Sequence, residues 1–238
     1  MRTPGEDEEL AAGFLAGEGL ISGPEDVAAV GLSEDLAANV IEIGTRGGLR
    51  RDPAGERRFY LTSSCGVCGK GALEFVRRQT PPQASSALSV TIEPEVVLAA
   101  PDRARREQAA FRHTGGLHAT ALFAADGELL VLREDVGRHN AMDRALGSRS
   151  LEGAYPRGEH LRLPQRPGVV RARAEGQPVQ PRGIVAVGAP STLAVELALR
   201  RDCCCAASCA VRASTSTRAP TGSPAEWRSQ RWTSIRPR

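Results

Sequence analysis

Aromatic side chains are scarce in this sequence, lysine occurs once, and long apolar runs are missing. Phe, Trp and Tyr make up 4% of 238 residues, against a hydrophobic fraction of 41%. A core therefore has to be mainly aliphatic. No apolar stretch approaches the roughly 20 residues of a membrane-spanning helix, so a membrane partner is not expected. The opening "MRTPGEDEELAAGF" has no basic segment followed by an apolar one. No secretory signal is expected, and the chain is assigned to the cytoplasm. In that reducing compartment a C-x-x-C pair points to metal binding or catalysis rather than to a structural disulfide. The zinc-deaminase signature, H-x-E with P-C-x-x-C, is absent, which argues against base deamination.

Lys70 is the one lysine; the rest of the 31 basic residues are arginine. The net charge of +3 is unevenly spread. Residues 165–238 carry twelve arginines against four acidic residues, a net +8, while residues 1–164 carry 19 basic and 24 acidic, a net −5. A basic tail is a nucleic-acid signal. Arginine bias is equally the product of GC-rich coding, in frame or out of it, and no nucleic-acid partner is assigned.

The pattern predicts α/β organisation. Thr3, Pro4 and Glu6 read as a capping box opening a helix, with Leu10, Phe14, Leu15, Leu20 and Ile21 as its apolar stripe. Residues 44–58 read as a polar loop, 59–64 as a strand, 71–79 as a helix and 81–87 as a linker. A helical pattern starts at Pro94 and runs, broken near Pro101, to about Phe111. "HATALFA" and "ELLVLRE" read as strands joined at Asp126–Gly127, a hairpin turn signal. "GRHNAMDRAL" reads as a helix, "GIVAVGAP" (183–190) as a buried strand, and 191–200 as a helix capped by Ser191. Strands alternating with helices imply α/β or α+β organisation in three layers, and the reading adopted is a three-layer α/β fold with a smaller N-terminal α+β part. The expected divisions are 1–93, holding the C-x-x-C loop, an α/β core at 94–200, and a tail at 201–238. Residues 164–182 and 201–238 lack periodicity, and the tail is expected to be irregular or disordered.

Three stretches carry chemistry. "SSCGVCGK" sets Cys65 and Cys68 among glycines, beside Lys70 and ahead of a helix start. Such positive potential lowers a thiol pKa and favours a thiolate nucleophile. Zinc remains possible by count, since Cys205 and Cys209 of "CCCAASC" could complete four ligands with Cys65 and Cys68. A thiol-disulfide exchange pair is the other alternative. "HTGGLHA" holds His113 and His118 around Gly115 and Gly116, where backbone can approach a ligand closely. In "REDVGRHNAMDR", Arg133, Glu134, Asp135, Arg138, His139, Asn140 and Asp143 crowd a strand-to-helix turn, a setting that suits an anion.

"TSSCGVCGK", "TGGLHATAL" and "REDVGRHNAMDR", in this order, resemble the formate dehydrogenase accessory sulfurtransferases, the FdhD/NarQ family. "MRTPGEDEELAAGFLAGEGLI" and "VAVGAPSTLAVELA" resemble its further blocks. The likeness covers roughly residues 1–163 and 183–200. It implies a fold related to the cytidine deaminases and a homodimer. It implies a sulfurtransferase that takes persulfide sulfur from a cysteine desulfurase. The acceptor is molybdenum bound to two pyranopterin guanine dinucleotides, the cofactor of formate dehydrogenase and here a substrate, with no permanent metal in the protein. Carried over, Cys65 is the persulfide cysteine and Cys68 its partner. Gly115, Gly116, His118, Arg138 and His139 then face the cofactor's phosphates or guanines.

The sequence departs from the family in three places. Met1 falls almost on the "TPG" block, which implies an N-terminal truncation or a wrong start site. Where the family has "SGRxSFE", this chain has "QRPGVVRARAEG" (165–176). Permitted codons for that stretch, read after dropping one base, give S-G-R-A-S-F-E-L-V-Q-K. "RASTSTR" (212–218) likewise gives G-F-N-V-Y-T, a family block, in a shifted frame. Out-of-frame segments are therefore expected at about 164–182 and 201–238. "CCCAASC" would then stand where the shifted frame encodes a leucine-rich strand, and the chain as written is expected to fold poorly or to be inactive.

Overall fold

The computed structural model describes residues 1–17, 20–21, 23–32, 40–49, 92–153, 160–164, 183–187 and 204–208. The expected elements at 59–64, 71–79 and 191–200, and with them Cys65, Cys68 and Lys70, lie outside the described residues.

A hairpin forms the centre. Strands β3 (His118–Ala124) and β4 (Leu129–Asp135) pair antiparallel, with His118 opposite Asp135 and Leu122 opposite Val131. The turn uses Asp126–Gly127 as the sequence suggests. Gly127 has φ +90°, a left-handed conformation that only glycine adopts without strain. The Asp126 carboxylate accepts the Glu128 N–H at 3.0 Å, closing the loop.

Among the described residues the hairpin belongs to a five-stranded sheet with β5 (His160–Pro164), β6 (Gly183–Val187) and β7 (Cys204–Ser208), in the order β4-β3-β5-β6-β7. β3 runs antiparallel to both neighbours, while β5, β6 and β7 run parallel. The expected strand in "GIVAVGAP" is thus β6. The tail needs a correction. Cys204–Ser208 was expected to be irregular, yet it pairs with β6 over its full length. An edge position next to β6 supplies its ladder hydrogen bonds, a tertiary partner that local periodicity does not reveal.

Side chains alternate across the pleat, and each face of the hairpin packs on a different helix. Ala121 and Phe123 meet Ala100 and Ala104 of α2 (Pro94–Glu107), with Leu132 alongside. Leu122 and Val131 meet Ala145 and Leu146 of α4 (Arg138–Leu151). α2 runs through Pro101 and ends instead before Gln108, which has φ −73° and ψ 83°. Pro101 removes one helical hydrogen bond, but burial of Ala100 and Ala104 on Phe123 holds the helix across it. The short α3 (Ala109–Thr114) follows.

The N-terminal reading also changes. α1 is Asp7–Gly17, and Thr3 does not cap it. Gly5 and Glu6 have positive φ, so the chain turns before the helix and Thr3 is spent on contacts with the core. The buried face of α1 is Ala12, Gly13 and Ala16 rather than the larger Leu10, Phe14 and Leu15. The reason is close packing on α4. A Cβ on Gly13 would lie 1.7 Å from the Asp143 carbonyl oxygen, and one on Gly147 would lie 1.8 Å from that of Glu9. Only small residues allow this approach. Ile21 is buried, as expected, with Ala16. A separate antiparallel pair, β1 (Val27–Leu32) and β2 (Ile41–Thr45), was not anticipated, although Ile41 and Ile43 alternate with polar neighbours.

Candidate functional site

The strand directions collect the expected site residues at one end of the sheet. β3 starts there at His118 and β4 ends there at Asp135. Thr120 of β3 pairs with Pro164, the last residue of β5, so the same end is the carboxyl edge of the parallel strands. Open α/β sheets bind ligands at that edge. Gly115 and Gly116 lead into β3, and Arg138 and His139 open α4 immediately after β4. All five described site residues are therefore neighbours at this end. Cys204 and Cys205 start β7 at the opposite end, level with Gly183 and Ile184.

Gly115 closes α3 in the left-handed region, φ +67°, with its N–H donating to Phe111 O at 2.7 Å. Among the described residues, chain neighbours aside, no atom lies within 4 Å of where a Cβ would stand on it, and on Gly116 only Thr114 O, at 3.9 Å. The glycine turn is thus open on its outer side. His118 shares a sheet face with Leu122, the face toward α4, and lies across from Asp135. Arg138 has a buried Nε without a hydrogen-bond partner among the described residues. The first N–H groups of α4 have no intrahelical partner, and they carry the positive end of the helix dipole.

Two adjacent carboxylates end β4. Asp135 is fully buried. Its Oδ1 accepts Gly137 N–H at 2.7 Å and Asn140 Nδ2 at 3.0 Å, and its Oδ2 accepts Thr3 N–H at 2.9 Å. Arg144, 1% exposed, faces Asp135 Oδ2 with Nε at 3.2 Å. Arg144 also meets Glu6 at 3.2 Å and donates to the Thr3 carbonyl. The Thr3 hydroxyl accepts Val136 N–H at 3.0 Å, and Asn140 reaches Met1 O at 2.9 Å. Two buried charges are tolerated because each is paired and hydrogen-bonded. Glu134 points the other way. Its two oxygens accept the N–H groups of Ala110 and Phe111, both at 2.8 Å, and so cap α3.

Charge pairs fasten α1 around this hub. Arg133 grips Glu9 in bidentate fashion at 2.6 and 2.8 Å. That bond raises the Arg133 pKa above its ordinary value. Arg2 holds Asp7 at 2.5 and 2.6 Å, and this hydrogen bond keeps the Asp7 carboxyl below its usual range. Sequence reasoning placed Glu134 and Asp135 in the crowded turn without assigning what they hold, read Thr3 as a helix cap, and did not single out Arg144. The Asn140–Arg144 spacing of four, one helical turn on the same face as Asp135, is the signal available for Arg144.

Among the described residues no group of three or more His, Cys, Asp or Glu is placed to hold a metal ion, and no helix is long and apolar enough to cross a membrane.

Comparison with known proteins places these features in context. The model of the FdhD/NarQ family matches residues 1–214. A Mycolicibacterium paratuberculosis protein named sulfur carrier protein FdhD is 46% identical over 218 residues, covering 83% of this chain and 75% of its own. A Streptomyces coelicolor protein of the same name is 43% identical over 211 residues, covering 83% and 73%. The crystal structure of a protein described as a formate dehydrogenase accessory protein, from Desulfotalea psychrophila, superposes with a TM-score of 0.54 at 24% identity. That match spans 84% of this chain and 72% of the other, and shows a shared mixed α/β fold. The match through both candidate turns and the C-x-x-C loop leaves one assignment: the chain belongs to the FdhD/NarQ family.

Proposed function

We propose that this chain is a sulfur carrier for the maturation of formate dehydrogenase. Cys65 takes up sulfane sulfur from a cysteine desulfurase and passes it to molybdenum bound to two pyranopterin guanine dinucleotides, held as substrate. The observation that carries this reading is the family match over residues 1–214, which includes Cys65, Cys68 and both glycine-histidine and arginine-histidine turns. The relatives' own name, sulfur carrier protein, supports it.

In the loading step the Cys65 thiolate attacks the outer sulfur of the donor's persulfide. A new S–S bond forms as the old one breaks, and the donor leaves as a thiolate, so no net oxidation occurs. Cys68 is the C-x-x-C partner of Cys65 in the sequence. At the sheet edge, the unpartnered Arg138 Nε, the first turn of α4 and the open Gly115–Gly116 turn suit the phosphates of a guanine nucleotide. His118 and His139 add side chains that can donate. The strand order and the helix on each face support a three-layer arrangement related to the cytidine deaminases. A homodimer in the cytoplasm completes the reading.

The test is restoration of formate dehydrogenase activity in a bacterium lacking its own accessory sulfur carrier. A chain whose residues 164–182 and 201–238 are returned to the family's reading frame is expected to restore formate-dependent dye reduction, Cys65→Ala in it to abolish that, and the chain as written to restore little. Equal restoration by Cys65→Ala would refute the sulfur-carrier role.

A further inference from the structure

We infer that Glu134 and Asp135 are positioning residues that hold the two walls of the proposed nucleotide site, one wall each. The inference rests on the proposed function for the site itself. Successive residues of a strand face opposite sides of the sheet, and these two use that alternation at the last residues of β4. Glu134 reaches the α2 side and caps α3 through Ala110 and Phe111. α3 spans only 6 residues before Gly115, so fixing its first turn fixes where Gly115 and Gly116 enter β3. Asp135 reaches the α4 side and fixes the Gly137 N–H and the Asn140 side chain. That sets the turn from which Arg138 and His139 project. A Cβ on Gly137 would lie 3.1 Å from Asn140 Nδ2 and 3.4 Å from Asp135 Oδ1, so this turn has little room to relax. The two walls are thus set by neighbouring residues on one strand, and their separation is as rigid as the β3–β4 ladder.

Asp135→Asn takes from the buried Arg144 its one buried carboxylate, leaving Glu6 and Asp7 at 3.2 and 3.8 Å, and lowers overall stability, so Glu134→Gln carries the test. Glutamine keeps the shape but turns one acceptor into a donor facing an N–H. The affinities of the full chain for GDP and for guanosine are measured by calorimetry, beside the thermal unfolding midpoint. Wild type is expected to prefer GDP. Glu134→Gln is expected to lower that preference by about tenfold or more, because displaced groups lose the phosphates first. A merely structural role would lower the midpoint and leave the GDP-to-guanosine ratio of the folded protein unchanged, which overturns the inference. A wild-type chain that binds neither compound overturns the nucleotide-site reading and the positioning role with it. Binding by wild type with an unchanged ratio in the variant overturns the positioning role alone.

Discussion

Asp135 shows how much one residue at the end of a strand can hold. Its carboxylate joins the N-terminal segment, the turn after β4 and α4 through Thr3, Gly137, Asn140 and Arg144. Breaking a buried pair on one side costs about 3–5 kcal/mol. Asp135→Asn is therefore expected to lose that much in urea unfolding, and a loss below about 1 kcal/mol would mean that the pair is not isolated from water. Arg2–Asp7 is a pair of the other kind, at the surface, where ion pairs contribute up to about 1 kcal/mol. Its pH dependence has a definite sign. The Asp7 pKa is lowered in the folded state from an ordinary 3.8, mainly by the hydrogen bond from Arg2. Its contribution is complete above that ordinary value and is lost as pH falls through the lower, folded value. Acid titration of unfolding should show the gap between wild type and Asp7→Asn at full size above about pH 3.8 and closing as pH falls below that through the lower, folded value.

At the scale of elements, the sharpest feature is the α1–α4 crossing. Helix propensity alone makes Gly→Ala favourable by about 1 kcal/mol in a helix interior. At Gly13 and Gly147 the added carbon would enter the carbonyl of the facing helix. Gly147→Ala is expected to lower stability by about 1–3 kcal/mol, and a rise in the thermal midpoint would contradict the crossing. The same crossing explains what was legible in the sequence. The β3–β4 hairpin, β6 and α4 carry local signals: alternation, Asp-Gly and a helical run. α1 was found, but its buried face was misread, because Leu and Phe signal burial by type whereas Ala12, Gly13 and Ala16 are chosen by fit. Thr3 and Arg144 were hidden for a related reason. They meet across 141 residues, and no local pattern encodes such a pairing. The glycine and arginine-histidine turns were readable, since each sits at a junction of two recognisable elements.

For the whole molecule, the order β4-β3-β5-β6-β7 puts the candidate site at the carboxyl edge of the parallel strands and the cysteines of β7 at the other end. β7 falls where a displaced reading frame is expected to encode a leucine-rich strand. The coding sequence across residues 164–182 and beyond 201 is expected to yield S-G-R-A-S-F-E and G-F-N-V-Y-T when read one base out, and codons that yield neither would end that explanation. The central claim is the role of Cys65, and mass spectrometry tests it most directly. After incubation with a cysteine desulfurase and cysteine, the Cys65 peptide is expected to gain about 32 Da, one sulfur atom, reversibly on reduction. Cys65→Ser should show no such gain. A Cys65–Cys68 disulfide with no added sulfur, or zinc bound in equal amount and lost with Cys205→Ser, would contradict the account.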